Sequence, residues 1–391
     1  MGRSELTGEE LTALVQRVFQ PRENDRALAI LADLPDQTAP DNQAWKERRE
    51  LALSWSRALA AAKAVHGLDV GLYLYRNVRS NNADLPENAW RHAGARLPDS
   101  ADELRPGEAE PFVQVLAANP LVLAPTEFSA TAPLKLLSKK LGFRAATMPG
   151  FGPAMVPALR LDYQEINRRV ARLKGLLDRA KAAALEFRVD GWQAFSLRLD
   201  LRHRTAHASG GLLPDPGTAG NLPSGEAYIV PYEGELVGSP SATAGTLPVQ
   251  IEDEIVLYRV VGNRAVEVVS DGPQSRREAE HLRKEPAYGN LAELGLGVLG
   301  DFGIAPIGEV LLDEKLGLHI AFGRSDHFGG QIGPGHFSSP EEVVHQDRVY
   351  VSGVQPRVIV ARADLEMEDG KSLELMRDGG YRIRFDEQER S

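Results

Sequence analysis

Six side chains in the second half of this 391-residue chain are of the types that hold a divalent ion: Glu226, Glu293, Glu314, His319, His345 and Asp347. Carboxylate oxygen and imidazole nitrogen suit hard and borderline cations. Glu226 closes the turn-forming run Asn-Leu-Pro-Ser-Gly and opens an apolar stretch, and Glu293 lies in Asn-Leu-Ala-Glu-Leu-Gly. Glu314 and His319 are five residues apart among glycines, while His345-Gln-Asp347, if extended, directs both of its functional side chains to one face. Taken singly, each is an ordinary surface or core residue, since glutamates are mostly solvated. As a set they point to a metal centre, because none of them falls in an amphipathic surface stripe. Charge balance favours two ions: one would leave four carboxylates with a buried net negative charge, which is costly, whereas two neutralise them. Such a pair supports hydrolysis by metal-activated water, with Glu226 or Glu314 carrying the proton to the leaving group.

Composition excludes other chemistries. The chain has no cysteine, so disulfides, thiolate metal sites, Fe–S clusters and a cysteine nucleophile are ruled out. Its formal charge of -10 carries no basic block, which argues against nucleic acid and anionic membranes as partners. No apolar run approaches the roughly 18 residues of a membrane span, and the opening MGRSELTGEEL lacks the pattern of a secretory signal; a soluble, cytoplasmic protein is expected. Gly295-Leu-Gly297-Val-Leu-Gly300 satisfies the G-x-G-x-x-G pattern of dinucleotide sites but lacks the flanking strand and helix, so a turn is expected there. His203 and His207 are expected on one face of a strand, exposed to solvent. His327 and His336, in or beside the glycine-rich stretch 323–335, fit either a role at the site or a place in a loop.

The elements that must position these groups are legible in part. Thr7 and Glu10 have capping-box spacing ahead of Leu11, Leu14, Val15 and Val18, which predicts a first helix, and a second is expected over 42–65. The polar stretch 81–111 reads as loop or short helices. Leu121–Leu123, Pro125-Thr126 and the periodic Leu134, Leu137 and Leu141 read as a βα unit, and 162–184 as an amphipathic helix carrying Ile166, Val170, Leu173, Leu177 and Ala180. From 186 the apolar period changes to two, with Phe195, Leu197, Leu199 and Leu201 alternating against polar neighbours. Two strands should turn about Gly262-Asn263, and further strands should fill 349–385. The expected fold is an α/β N-terminal half followed by a β-rich α+β metal-binding C-terminal domain. Its expected divisions are a helical and loop region over 1–115, an α/β segment over 116–185 and the catalytic domain over 186–391.

The order Asn-Leu-Pro-Ser-Gly-Glu226, Glu293, Asp-Glu314, His319-Ile-Ala-Phe-Gly and His345-x-Asp347 resembles the metal-binding domain of the aminopeptidase T family, the thermophilic-type M29 metallo-aminopeptidases. The family's signatures have the form N-[IL]-P-x-[GE]-E, a lone Glu, D-E-x(4)-H-I-A-x-G and H-x-D. The likeness runs from Gly142 through Thr147-Met-Pro-Gly and Leu161-Asp-Tyr to Asp347, and it is weak or absent before residue 115. It implies a hydrolase, most concretely an aminopeptidase, whose six matched side chains hold two divalent ions, Zn²⁺, Co²⁺ or Mn²⁺, with Glu293 bridging them. A homodimer acting on a small peptide or other small molecule is expected. Asp326 stands where the family has a tyrosine, seven residues beyond the first metal histidine, and Glu309 falls between matched positions. A related branch, the 2,5-dihydroxypyridine dioxygenases, keeps a His, His, Asp set around one Fe(II), matched here by His319, His345 and Asp347. Asp-Glu-Lys-Leu-Gly-Leu-His and Leu-Gly-Leu-Gly resemble that branch somewhat more, which implies the alternative of a ring-cleaving Fe(II) dioxygenase.

Overall fold

The computed structural model describes residues 5–385. Its contacts divide into two units, one holding the described residues up to Glu165 together with Gly211–Ser224, the other Ile166–Gly210 and the described residues from Gly225 on.

In the first unit, Ala27–Leu34 is apolar except for Asp33 and buried almost throughout, as a parallel strand covered on both faces requires. It pairs in parallel with Asp69–Arg76 on one side and Leu121–Ala124 on the other. Arg144–Thr147 and Ala219–Asn221 extend the sheet in parallel beyond Leu121–Ala124, and Asn88–His92 with Glu110–Pro111 close the opposite edge in antiparallel fashion. The helix Gly8–Phe19 begins with the expected capping box between Thr7 and Glu10, and Gln43–Ala61 and Thr131–Leu141 also form as helices. The expectation of helices and loops over 1–115 needs correction, because that stretch contributes the strands at 27–34, 69–76 and 88–92. A continuous apolar run has no period that distinguishes a buried strand from a buried helix.

The second unit consists mainly of two antiparallel sheets. Eight strands follow the order Arg264–Val268, Glu254–Val261, Ala244–Ile251, Gln193–Asp200, Ala180–Val189, Val358–Met367, Ser372–Arg377 and Gly380–Tyr381. The helix expected over 162–184 stops at Leu177, and Ala180 already belongs to a strand, so the boundary expected near 186 falls inside Ala180–Val189. Alanines at 182–184 carry no β-branch to mark where the helical period ends. Gly262 and Asn263 both adopt positive φ, 59° and 69°, as a two-residue hairpin turn demands. The second sheet has five strands in the order His345–Val349, Leu318–Gly323, Leu291–Gly297, Glu226–Ile229 and His207–Ser209. It carries the chemistry.

Candidate metal centre

Residues directly opposed in an antiparallel pair project from the same face. Across the five-stranded sheet Glu226 opposes Gly297, Tyr228 opposes Gly295, and Gly295 opposes His319. Glu293 and Asp347 both oppose Ala321, and His345 opposes Gly323. Glu226, Glu293, His319, His345 and Asp347 therefore share one face, interleaved with glycine and alanine that leave room for them. The need for glycine is steric: a Cβ on Gly295 would lie 1.9 Å from His319 Nε2, and one on Gly297 2.2 Å from the Lys315 carbonyl carbon. A Cβ on Gly300 would lie 2.5 Å from the Leu316 carbonyl oxygen. The G-x-G-x-x-G match is thus a cradle for the segment 314–319. The turn expected there is instead the strand Leu291–Gly297 followed by a short 3₁₀ segment, Leu299–Phe302.

The side chains converge. His319 Nε2 lies 3.1 Å from Glu293 Oε1, 3.5 Å from Glu226 Oε2 and 4.0 Å from Asp347 Oδ1. His345 Nε2 lies 3.3 Å from Glu293 Oε2 and 3.7 Å from Asp347 Oδ1. Two donor groups result, Glu226 with Glu293 and His319, and Glu293 with His345 and Asp347, and Glu293 belongs to both. The Arg324 carbonyl oxygen lies 2.8 Å from His345 Nδ1, and the Gly317 carbonyl oxygen 3.3 Å from His319 Nδ1. A backbone acceptor at Nδ1 orients each ring with Nε2 toward the cluster, as metal-ligating histidines are held.

Glu226 Oε2 and Asp347 Oδ1 are buried and accept no hydrogen bond. Such an orphan costs about 1–3 kcal/mol, and both oxygens lie within 4.0 Å of His319 Nε2. A cation would satisfy both, so the residues fit a divalent ion. Electrostatics agree. Burial works against charge on the two imidazoles, but Glu293 and Asp347 outweigh it, pushing His319 up to about 10 and His345 up to about 9. Burial raises Asp347 to about 6, even with His345 beside it.

Glu314 stands apart from both donor groups. Its Oε1 accepts from Nζ of Lys315, which also donates to Glu226 Oε1. Lys315 is 1% exposed, and its charge survives because Glu226 and Glu314 more than offset the burial that would otherwise discharge it. This lysine is not among the residues whose type and spacing mark a metal site in the sequence. In the sequence it stands directly after Asp313 and Glu314, in Leu-Leu-Asp-Glu-Lys-Leu-Gly-Leu, and nothing there tells it from a surface charge. The charge count that favoured two ions omitted it.

An aromatic wall borders the cluster. Tyr228 stacks on His207 at 5.2 Å between ring centroids and meets Phe328 edge-on at 4.7 Å; Phe328 lies 5.5 Å and His327 5.2 Å from the His345 ring. Burial, then Glu293 and Glu226, hold the Tyr228 phenol above its usual range, so it stays neutral and able to donate. His203 and His207 do not form the exposed pair expected on one strand: His203 sits in a turn at φ 64°, whereas His207 is half-buried against Tyr228. Of the two histidines left open, His327 borders the site and His336 is an exposed loop residue whose Nδ1 accepts from the Gly333 N–H. Asp326 is held by Arg324 at 2.5 Å, and Glu309 is exposed ahead of the short helix Val310–Asp313.

Two solved structures match nearly the whole chain. One is 2,5-dihydroxypyridine dioxygenase from Pseudomonas putida, at 14% identity over 96% of this chain and 98% of that one, with a TM-score of 0.59. The other is wild-type AmpT from Thermus thermophilus, at 16% identity over 96% and 99%, with a TM-score of 0.55. The chain shares their fold. No protein-family model and no curated protein sequence matches it. The two structures correspond to the two branches that the motifs resemble. At this identity the likeness concerns architecture. Among the described residues, no helix is long and apolar enough to cross a membrane.

Proposed function

We propose that the second unit is a metal-dependent hydrolase that removes N-terminal residues from small peptides. The observation carrying this reading is the pair of orphaned carboxylate oxygens, Glu226 Oε2 and Asp347 Oδ1, which converge with Glu293 on His319 and His345. A divalent ion such as Zn²⁺, Co²⁺ or Mn²⁺ would there polarise the scissile carbonyl and bring the pKa of a water molecule toward neutrality.

The chain's own residues supply the rest. Glu293 holds both imidazoles through its two oxygens, which fixes the cluster's geometry. Burial raises both Glu226 and Glu314 above the usual glutamate range, and Lys315 moderates the rise in each. Glu314, which belongs to neither donor group, is the carboxylate left to carry the proton from water to the departing amine. Tyr228, on the same sheet face as Glu226, supplies a neutral hydrogen-bond donor in place of the tyrosine that Asp326 replaces. The wall of Tyr228 and Phe328 offers apolar contact to a substrate side chain. The motif order and the fold shared with AmpT support the reading. Cleavage of aminoacyl amides should disappear with excess chelator and return with Zn²⁺, Co²⁺ or Mn²⁺. Cleavage that persists in the chelator would refute it.

A second reading is favoured by one specific arrangement. His319 and His345 both lie within 4.0 Å of Asp347 Oδ1, the 2-His-1-carboxylate set of Fe(II) oxygenases, while Glu226 and Glu314 are engaged by Lys315. A ring-cleaving dioxygenase would consume O₂ with 2,5-dihydroxypyridine in the presence of Fe(II) and leave aminoacyl amides intact.

A further inference from the structure

We propose that Lys315 is the centre's own second cation: its ammonium takes the place of a second metal ion at Glu226 and Glu314, so that the chain binds one divalent ion. The inference rests on the metal-binding reading above and concerns how many ions the centre takes.

Lys315 lies in the 3₁₀ turn Glu314–Leu316, with only 2% of its side chain exposed. Its Nζ lies 2.5 Å from Glu226 Oε1 and also donates to Glu314 Oε1, so it bridges the two carboxylates as a metal ion would. An ammonium is a compact point charge with three donors, which suits it to that place. The side chain has little freedom to leave. The backbone behind it is pressed against Gly297, where a Cβ would stand 2.2 Å from the Lys315 carbonyl carbon and 2.7 Å from the Glu314 carbonyl oxygen.

A second ion at Glu226, Glu293 and His319 would have to share the Glu226 carboxylate with this fixed ammonium, inside a buried site where like charges repel strongly. Charge alone does not decide the number: with Lys315 counted, one divalent ion leaves the four carboxylates one charge negative and two leave them one charge positive. Geometry decides it. Of the two donor groups, the one that includes Glu226 is the one the ammonium already engages, whereas in the other His345 Nε2 lies 3.3 Å from Glu293 Oε2 and 3.7 Å from Asp347 Oδ1, and Lys315 binds none of the three. Ligands around a single ion with bonds of about 2.0–2.2 Å are separated by such distances.

The test is the number of ions per chain in the full-length protein, stripped of metal, reloaded with Zn²⁺ or Mn²⁺ and read by native mass spectrometry and elemental analysis. The wild type should take one equivalent. Lys315→Met, which keeps the stem without the charge, and Lys315→Ala, which opens the space, should take two, and Mn²⁺-loaded variants should show a spin-coupled paramagnetic signal where the wild type shows an isolated ion. Two equivalents in the wild type would overturn the inference, a result that needs no variant to fold. One equivalent in both variants, with unchanged circular dichroism, would overturn it as well. A wild type that takes up no ion would overturn the metal-binding reading itself, an outcome distinct from a wrong count.

Discussion

Glu293 is the one carboxylate that both donor groups share, with Oε1 facing His319 and Oε2 facing His345. Glu293→Gln removes the charge and replaces one of the two oxygens with a donor, so it should weaken metal uptake more than a change at any other of the six positions. Loss of a residue that merely orients a ligand costs about 10–100-fold in affinity, and loss of a shared ligand should exceed 100-fold. Competition against a coloured chelator measures it, and an affinity equal to the wild type would show that the ion does not sit there. At this scale the ligand types were readable because carboxylates and imidazoles without an amphipathic context are conspicuous in a sequence. Lys315 was not, since a lysine read alone is a surface charge until its burial is known. His207 is a similar case: its ring stacks on Tyr228 only because the edge strand brings the two side by side.

Register across the five-stranded sheet makes the cluster. The i, i+2 spacing of His345 and Asp347 was visible, and so was the hairpin at Gly262-Asn263, because local backbone geometry dictates both. The opposition of Gly295 and His319 was not visible, because it depends on how two strands align. It makes a sharp prediction. Gly295 is in ordinary strand conformation, so Gly295→Ala introduces no backbone strain, yet its methyl would stand 1.9 Å from His319 Nε2 and must displace the ring. Metal uptake should be lost while circular dichroism stays near that of the wild type; retained uptake would mean that His319 is not a ligand. In the first unit, the turn after the strand Ala27–Leu34 depends on Asp36. Its Oδ1 accepts from the N–H and the hydroxyl of Thr38 and from the N–H of Ala39, at 2.9, 2.6 and 2.9 Å. The Thr38 hydroxyl first of all, with these N–H groups and Arg79, holds the carboxyl well below the usual aspartate range. A lowered folded-state pKa contributes stability above the unfolded value of about 3.9 and loses it as pH falls through the folded value. Asp36→Ala should therefore cost about 1–3 kcal/mol near neutral pH, and the difference from the wild type should shrink below about pH 4. Urea unfolding at several pH values checks this; a pH-independent gap would count against it.

For the molecule as a whole, all six candidate ligands and Lys315 belong to the second unit. Ion binding should then act on the stability of that unit. At a hundred times Kd a ligand stabilises the native state by about 2.7 kcal/mol, which for a body of about 150–250 residues raises Tm by roughly 5–10 °C. Scanning calorimetry with metal and with chelator reads this shift, and superimposable traces would contradict binding to the folded state. The fold shared along nearly the full length with the two solved structures extends through the first 115 residues, where the motif resemblance was weak. Sheet pairing there rests on largely apolar runs such as Ala27–Leu34, which many sequences can supply without a common motif.

The amino-acid sequence by itself determined the chemical palette: oxygen and nitrogen donors without thiolates, an acidic chain without a basic face, and local structure wherever a period of two, a capping box or a positive-φ turn repeats within a few residues. Only the tertiary structure decided which donors meet. Glu226 and Asp347 are more than a hundred residues apart along the chain, and strand alignment alone brings each within 4.0 Å of His319 Nε2. It also decided that the glycines of 295–300 make space for a neighbouring segment, and that Glu314 faces an ammonium. Contact between strands depends on register and burial, which are cooperative properties of the packed sheet and cannot be read from one segment of it.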